Sequence, residues 1–236
     1  MKVLVIPDVH LKPEIFDQAE EIMESTDCEG IVCLGDIVDD WGCTSDFEKY
    51  EETMDRLISF ARKYPHMLFC YGNHDLSYMW DQYNHPGFSI VAEDIVRDKF
   101  AELEETLKDP EQVAILHRID NCIFSHAGLI EEYIDTYLYP EKRDLEYVLA
   151  TINGYGVDRL WNDDSPLWAR PQIYDLQKGP WPKVFLNVAG HTPVREPFEK
   201  NGLLSTDTFS TYSDGRKYGN EMLVWVDTIT KEWGIL

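Results

Sequence analysis

The sequence has few basic residues for its length. It contains 21 Lys and Arg against 44 Asp and Glu, a formal net charge of −23 over 236 residues. With no basic stripe to release counterions from phosphates, the chain is not expected to bind a nucleic-acid backbone. Acidity of this size usually keeps a surface solvated, and part of it would be cancelled if carboxylates bind cations.

The sequence also lacks paired cysteines and long apolar runs. Its five cysteines form no C-x-x-C pair and are odd in number, which indicates a reducing compartment rather than a disulfide framework. No apolar run approaches the roughly 20 residues of a membrane-spanning helix. Only four apolar residues separate Lys2 from Pro7, too few for a secretory signal. We therefore expect a cytoplasmic protein with no membrane partner.

What the chain does have is enough apolar residues for a compact core. Hydrophobic residues make up 44% of it and aromatic residues 13%, which excludes extended disorder. We find no internal repeat, low-complexity tract or linker. The sequence therefore predicts a single domain over residues 1–236.

The first third of the chain alternates apolar runs with helical stripes. Continuous apolar runs predict three buried strands, at residues 3–6, 31–34 and 67–71. Apolar residues at helical spacing predict helices over 14–25 and 46–64, the second capped by Asp46 and stopped by Pro65. Strand, helix, strand, helix, strand is typical of a largely parallel sheet.

The remainder predicts a second sheet and one long loop. Helices are expected over 92–107 and 141–152, and residues 153–182 are irregular, with Trp161, Trp168 and Trp181 expected to pack. Two strands are predicted at 113–116 and 122–124, and a second sheet is completed by strands at 184–188, 203–206, 222–226 and 231–235. The predicted architecture is two stacked sheets flanked by helices, with loops gathered at one edge.

Six short clusters carry residue types that hold divalent metals, and most directly follow an apolar run. They are Asp8-Val9-His10, Gly35-Asp36-Ile37-Val38-Asp39, Gly72-Asn73-His74-Asp75, Ser125-His126-Ala127-Gly128, Trp168-Ala169-Arg170 and Gly190-His191-Thr192. Each alone is weak evidence, because turns often carry Asp, Asn or His. Together, at successive strand ends of an open α/β sheet, they predict one shared site.

Local geometry suggests how each side chain would reach that site. In an extended segment Asp8 and His10 would point the same way. Gly35 would let the backbone turn sharply and present Asp36. The carbonyl oxygen of the Asn73 side chain can bind a hard cation. Two bound metals would activate water and hold phosphate oxygens, which indicates hydrolysis of a phosphate ester or anhydride.

As a set, the motifs D-x-H, G-D-x-V-D, G-N-H-[ED], H-[AG]-G and G-H resemble the calcineurin-like metallophosphoesterases. Within them, the chain is similar to bacterial and phage-type serine/threonine phosphoprotein phosphatases and to symmetrical dinucleoside tetraphosphate hydrolases. The resemblance runs from Asp8 to about Asp207. It implies a four-layer α/β/β/α sandwich of mixed sheets and two metal ions, Mn²⁺ first, with Fe or Zn as alternatives.

The resemblance also implies residue roles. His74 would protonate the leaving oxygen, oriented by Asp39, while a metal-bridging hydroxide attacks phosphorus without a covalent enzyme intermediate. Arg170 and Asn73 would contact the substrate phosphate. The implied metal ligands are Asp8, His10 and Asp36 on one ion, with Asp36 as the bridge, and Asn73, His126 and His191 on the other.

The sequence departs from the family in four places, the first being Leu11, where the family usually has Gly after the first metal-binding His. Asp40 stands where the family normally has an arginine that contacts phosphate, and a carboxylate cannot donate there. Arg170, in a segment that resembles the W-x-R of bacterial members, is the remaining candidate. Asp75 replaces the usual Glu of the phosphoprotein phosphatases. Asp207-Thr208 resembles the Asp-Thr-Gly of the tetraphosphate hydrolases, with Phe209 in place of Gly.

Two enzymatic interpretations stay open. The first is a phosphomonoesterase acting on phosphoprotein or a small phosphorylated metabolite, and the alternative is a symmetrical dinucleoside polyphosphate hydrolase. A nuclease fits less well, because nucleases of this superfamily tend to end in Gly-His-x-His, whereas this chain has Gly190-His191-Thr192-Pro193. An inert binding module is the non-enzymatic alternative. The sequence leaves the substrate, the metal and the oligomeric state open.

Overall fold

The computed structural model describes residues 1–80, 82–139, 144–173 and 179–236. Within these residues the chain forms eleven strands: β1 (Lys2–Ile6), β2 (Gly30–Cys33), β3 (Leu68–Cys70), β4 (Val113–Ala114), β5 (Leu116–Ile119), β6 (Cys122–Ser125), β7 (Leu186–Ala189), β8 (Phe198–Lys200), β9 (Leu203–Ser205), β10 (Val224–Asp227) and β11 (Trp233–Ile235). The helices in the same ranges are α1 (Glu14–Ser25), α2 (Phe47–Lys63), α3 (Asn73–Met79), α4 (Glu93–Leu107), α5 (Glu131–Tyr137), α6 (Leu145–Asn153) and α7 (Val157–Leu160).

The strands form two mixed sheets. The first has the order β11-β10-β1-β2-β3-β4, in which β1 to β4 are parallel and the β10–β11 hairpin joins β1 antiparallel. The second has the order β5-β6-β7-β9-β8, with β6, β7 and β9 parallel. Parallel strands in the centre of each sheet align their carboxyl ends along one edge.

Alternation along β1 shows how the layers pack. Val3 and Val5 join the cluster between the sheets, which also contains Phe124 and Val188 of the second sheet. Leu4, like Ile6, belongs instead to the larger cluster that includes residues of α1, α2, α4 and α6. Successive side chains of a strand point to opposite faces, so both faces of β1 are buried. The result is the predicted helix–sheet–sheet–helix sandwich.

Several predicted elements are confirmed. The helix predicted over 46–64 is α2, and its cap Asp46 accepts a hydrogen bond from the Lys49 backbone N–H at 3.3 Å. In the irregular segment, Trp161 and Trp168 lie 4.9 Å apart between ring centroids. All five cysteines are free. The part of the predicted 141–152 helix before residue 144 lies outside the described residues, and α6 starts after its cap Asp144.

The predicted membership of the second sheet was wrong. The strands predicted at 222–226 and 231–235 are β10 and β11, which extend the first sheet. The strand predicted at 113–116 divides into β4 in the first sheet and β5 in the second. Apolar periodicity identifies a strand but does not encode its neighbour, and short strands such as β4 carry little pattern. No helix in the described residues is long and apolar enough to cross a membrane.

Candidate metal centre

The carboxyl ends of five strands bring the predicted ligands together. Asp8, Asp36 and Asn73 follow β1, β2 and β3 of the first sheet, while His126 and His191 follow β6 and β7 of the second. The site therefore lies at an edge that both sheets share. All five side chains are buried, which is unusual for charged groups without partners.

Asp36 lies at the centre of the group. Its Oδ2 is 3.3 Å from His126 Nε2, 3.8 Å from His10 Nε2 and 4.0 Å from His74 Nε2. Its Oδ1 accepts the His74 backbone N–H at 2.9 Å. Two sets of possible ligand atoms share this carboxylate, one with His10 and His74 and the other with His126 and His191. A carboxylate shared in this way fits the bridge between two cations.

His10 and His126 have the orientation of metal-binding imidazoles. His10 Nδ1 is 2.8 Å from the Asp39 carbonyl, and His126 Nδ1 is 2.9 Å from the Leu34 carbonyl. A ring that donates Nδ1–H to a carbonyl presents an unprotonated Nε2, as in most metal-bound histidines. His10 Nε2 faces Asp36 and Asp8, the latter at 3.9 Å.

In the second set of possible ligand atoms, nitrogen and oxygen atoms of three side chains lie within hydrogen-bonding distance of one another. His126 Nε2 is 2.8 Å from Asn73 Oδ1 and 3.0 Å from His191 Nδ1. Asn73 Nδ2 and His191 Nε2 are buried and have no hydrogen-bond partner. Buried polar atoms are normally satisfied. These residues therefore fit a bound cation, and their nitrogen and oxygen donors suit manganese, iron or zinc better than calcium.

The charge state of the pocket leads to the same conclusion. Burial lowers the pKa of His126, but Asp36 and Asp8 outweigh it and raise it to about 9. Burial and the charge of Asp207 raise the pKa of Asp8 well above its ordinary value. Asp207 is itself buried, and its carboxylate accepts the hydroxyl of Ser210 at 2.8 Å. The buried carboxylates of Asp8, Asp36 and Asp207 thus concentrate negative charge in the pocket, which a bound cation would offset.

The Asp8 carboxylate is hydrogen-bonded to the backbone of the second sheet. The His191 N–H donates to both oxygens of Asp8, at 2.9 and 3.0 Å. This approach needs Gly190, because a Cβ there would lie 1.9 Å from Asp8 Oδ1. The extended geometry predicted for residues 8–10 was wrong, since His10 has a left-handed φ of 45°. The side chains of Asp8 and His10 still converge, because the left-handed turn directs the imidazole toward Asp8.

Left-handed backbone recurs at the site. Asp36, Asp39 and His191 have φ values of 47°, 65° and 60°. Non-glycine residues in this region are strained, typically by about 1–3 kcal/mol each. Such strain persists only where surrounding structure fixes it, and it concentrates at functional sites.

Asp75 fixes the backbone that carries Asp36. Its Oδ2 accepts the N–H groups of Asp36 and Gly72 at 2.8 and 2.9 Å, and its Oδ1 accepts that of Ile37 at 2.9 Å. Burial and the charge of Asp36 raise the pKa of Asp75 to about 7, although the Gly72 and Ile37 N–H groups favour its charged form. The Asp75 carboxylate thus connects the backbone after β2 to the start of α3.

His74 and Asp39 form the predicted carboxylate–imidazole pair. His74 Nδ1 is 2.9 Å from Asp39 Oδ2, while Tyr50 and Tyr78 each donate a hydroxyl to Asp39 Oδ1 at 2.6 Å. With Nδ1 committed to Asp39, His74 Nε2 faces Asp36. Burial lowers the pKa of His74, but the charges of Asp36 and Asp39 outweigh it and raise it above its ordinary value.

Arg170 reaches the second set of possible ligands, whereas Asp40 pairs with Lys12. Arg170 Nη1 donates to the His191 carbonyl at 3.1 Å, which places the guanidinium beside the centre. Asp40 Oδ2 instead accepts from Lys12 Nζ at 3.1 Å, and Lys12 also donates to the His10 carbonyl at 3.0 Å. The pair is mostly buried, with side-chain exposures of 11% for Lys12 and 13% for Asp40. Asp40 thus neutralises Lys12, which holds the His10 carbonyl.

Sequence reasoning missed three residues of the site. His85 packs on His74 with ring centroids 3.5 Å apart, Lys12 anchors the His10 carbonyl, and Tyr50 holds Asp39. None of them lies in a strand-end motif. Only Tyr50 gave a signal, because it lies on the apolar stripe of α2, where a buried tyrosine hydroxyl must find a partner.

The sequence matches the calcineurin-like phosphoesterase family over residues 1–215, and the chain belongs to that family. It is therefore a metallophosphoesterase. Members of the family depend on two metals, and the His and Asp clusters described above can hold them.

Solved structures share the fold at low identity. A protein serine/threonine phosphatase from Saccharomyces cerevisiae, with similarity to human phosphatase PP5, matches with a TM-score of 0.56 and 16% identity over 96% of this chain and 72% of its own. A hypothetical protein from Pyrococcus horikoshii matches with a TM-score of 0.52 and 12% identity over 100% of this chain and 86% of its own. No curated protein matches the sequence significantly.

Proposed function

We propose that the chain is a dinuclear metal-dependent phosphatase that hydrolyses phosphomonoesters of a phosphoprotein or a small phosphorylated metabolite. The observation that carries this proposal is the position of His74, whose Nε2 faces the shared Asp36 carboxylate while its Nδ1 is held by Asp39. An acid beside a two-metal centre is the arrangement that phosphoester cleavage needs.

The proposed ligands are Asp8, His10 and Asp36 for one ion and Asn73, His126 and His191 for the other, with Asp36 between them. When bound, the two ions supply an activated water as nucleophile and neutralise charge on the phosphate oxygens. We favour Mn²⁺, with iron or zinc as alternatives, because the donors are mixed nitrogen and oxygen.

The side chains around the metals do the remaining work. His74 donates its Nε2 proton to the departing oxygen, and the charges of Asp36 and Asp39 raise its pKa and so favour the protonated form. Asp39 stabilises the imidazolium and fixes the ring. Arg170, held beside His191, donates to phosphate oxygens in place of the family arginine, and Asn73 Nδ2 is placed to do the same if its oxygen binds a metal.

The substrate panel that tests this proposal contains a phosphopeptide, p-nitrophenyl phosphate and a symmetrical dinucleoside tetraphosphate, each with manganese and with chelator. We expect release of inorganic phosphate from the monoesters, lost in chelator. Hydrolysis of the dinucleotide alone, to nucleoside diphosphate, would favour the alternative function. The acidic surface favours monoesters, because a long polyphosphate carries more charge to be repelled.

Two variants test the residue roles. His74→Ala should keep both metals by elemental analysis and lower kcat for the phosphopeptide, whose leaving oxygen needs a proton, by roughly 10²–10⁴-fold, the usual contribution of a positioned acid. Asp36→Asn should lose both metals, because one carboxylate serves both sites. The exposed His66, before β3, provides a matched control, and His66→Ala should change neither quantity. Metals retained in Asp36→Asn, or a His74→Ala enzyme with unchanged kcat on the phosphopeptide, would contradict the assignments.

The single-domain organisation, cytoplasmic location and absence of nucleic-acid or membrane partners stay predictions from the sequence. They are consistent with a phosphatase that meets its substrate in solution. Fractionation and size-exclusion measurements on the native protein test location and oligomeric state directly.

A further inference from the structure

The loop after α3 lies directly on the His74–Asp39 pair. A Cβ placed on Gly87 would lie 3.4 Å from the Asp39 Cβ and 3.5 Å from the His74 Cε1. The backbone at this point therefore covers both side chains within van der Waals distance. We call residues 85–89 the covering loop.

The covering loop is anchored at both ends. At its start, the His85 N–H donates to Ser77 Oγ at 3.0 Å, and Ser77 Oγ donates to the Asn73 carbonyl at 2.9 Å. At its end, the Ser89 N–H donates to the Tyr78 hydroxyl at 2.8 Å. The same Tyr78 hydroxyl donates to Asp39. The loop is thus tied to α3, the helix that begins with Asn73 and His74.

His85 packs its ring on the general acid. The centroids of His85 and His74 are 3.5 Å apart with planes at 41°, and Trp168 stacks on His85 at 5.7 Å and 20°. His85 is thereby linked to the segment that carries Arg170. Rotation of His74 about its side-chain bonds would have to displace this ring.

The protonation state of His85 follows from a hydrogen bond. The Gly87 N–H donates to His85 Nδ1 at 3.1 Å, so Nδ1 carries no proton and the ring is neutral with its proton on Nε2. Burial and the neighbouring His74 also lower the pKa of His85 to about 4. A neutral ring is required here, because His74 must become an imidazolium and a second positive charge beside it would oppose that.

We propose that His85 is a positioning residue for the general acid, whose neutral ring holds His74 with Nε2 directed at the leaving-group oxygen. It acts through His74 and is not one of the proposed metal ligands. The inference rests on the role proposed above for His74. Its consequence is that losing His85 should matter only when the leaving group needs a proton.

The leaving group of the substrate provides the test. p-Nitrophenolate departs without protonation, whereas the oxygens of phenyl phosphate and an alkyl phosphate need a proton in the transition state. His85→Ala should lower kcat for the last two by roughly 10–10²-fold, as expected for a misplaced catalytic group. It should change kcat for p-nitrophenyl phosphate, and KM for all three, by less than about threefold. His85→Phe, which keeps a packed ring, should recover most of the loss, and His66→Ala should show none.

A double variant separates this proposal from the proposed function. If His85 acts only through His74, His74→Ala/His85→Ala should be no slower than His74→Ala alone. Equal losses for all substrates, multiplicative losses in the double variant, or a Phe variant as slow as Ala would overturn the inference. If His74→Ala itself shows no dependence on the leaving group, the acid role of His74 fails instead. Metal content and urea midpoints of each variant confirm that the fold is retained.

Discussion

Replacing Asp75 with Asn should destabilise the fold and weaken metal binding together. Asp75 does not face the metals, but its carboxylate accepts the N–H groups of Asp36, Ile37 and Gly72. An amide has one acceptor oxygen instead of two. In Asp75→Asn the amide oxygen can still accept from the Asp36 and Gly72 N–H groups. The NH₂ group then faces the Ile37 N–H, and because both are donors the Ile37 hydrogen bond is lost.

The expected magnitude follows from these three bonds. A buried N–H left without an acceptor costs about 1–3 kcal/mol. The two remaining bonds change from charged to neutral acceptors, which halves their strength, while removal of a buried charge offsets part of the loss. We expect the free energy of unfolding to fall by about 2–4 kcal/mol. The carboxylate of Asp36 should shift with its backbone, so metal affinity should fall as well.

Urea unfolding in chelator measures the fold contribution alone, and manganese titration of the folded protein measures the affinity. Asp109→Asn provides the control, because Asp109 is exposed, caps the short 3₁₀ helix Pro110–Gln112 and accepts from the Glu111 N–H. Asn caps as well as Asp does, so that variant should be nearly neutral. If Asp75→Asn unfolds at the wild-type urea concentration, the three hydrogen bonds do not hold the Asp36 backbone and the reasoning is refuted.

Three further variants probe the charges around the centre. Asp39→Asn removes the anion that stabilises the His74 imidazolium, so the pKa of His74 should fall and the basic limb of the kcat–pH profile should move to lower pH; an unmoved limb would exclude His74 as its origin. Arg170→Met should raise the KM for phosphomonoesters and the Ki for inorganic phosphate by roughly 10–10²-fold, the value of a charge-assisted contact; an unchanged Ki would place Arg170 outside the phosphate site. Asp40→Arg should lower stability by about 3–5 kcal/mol, because Lys12 loses its buried partner, without tightening phosphate inhibition; tighter inhibition would show that the family arginine position is still open to phosphate.

The central strands could be predicted because their residues alone determine their burial. The runs that became β1, β2 and β3 are continuously apolar, as strands buried on both faces must be. The pairing of β10 with β1 could not be predicted, since it joins opposite ends of the chain. Such long-range choices depend on the packing of the finished sheets and leave little local signal.

The convergence of the proposed ligands was predictable for a different reason. Metal chemistry restricts the ligands to a few residue types, and strand ends restrict where they occur. Residues that support the ligands have no such restriction: Ser77, Tyr50 and His85 act through contacts made across α2, α3 and the covering loop. These contacts depend on three-dimensional neighbours, so only the structure reveals them.

The positive φ angles at His10, Asp36, Asp39 and His191 set local stability against activity. Glycine would relax each of these four positions, yet each such replacement would delete a proposed ligand or the partner of the acid. Selection for stability alone would therefore reduce catalytic activity with each such replacement. In an alignment, active homologues should conserve these four residues. Inactive homologues should have glycine at these positions more often than elsewhere in the site.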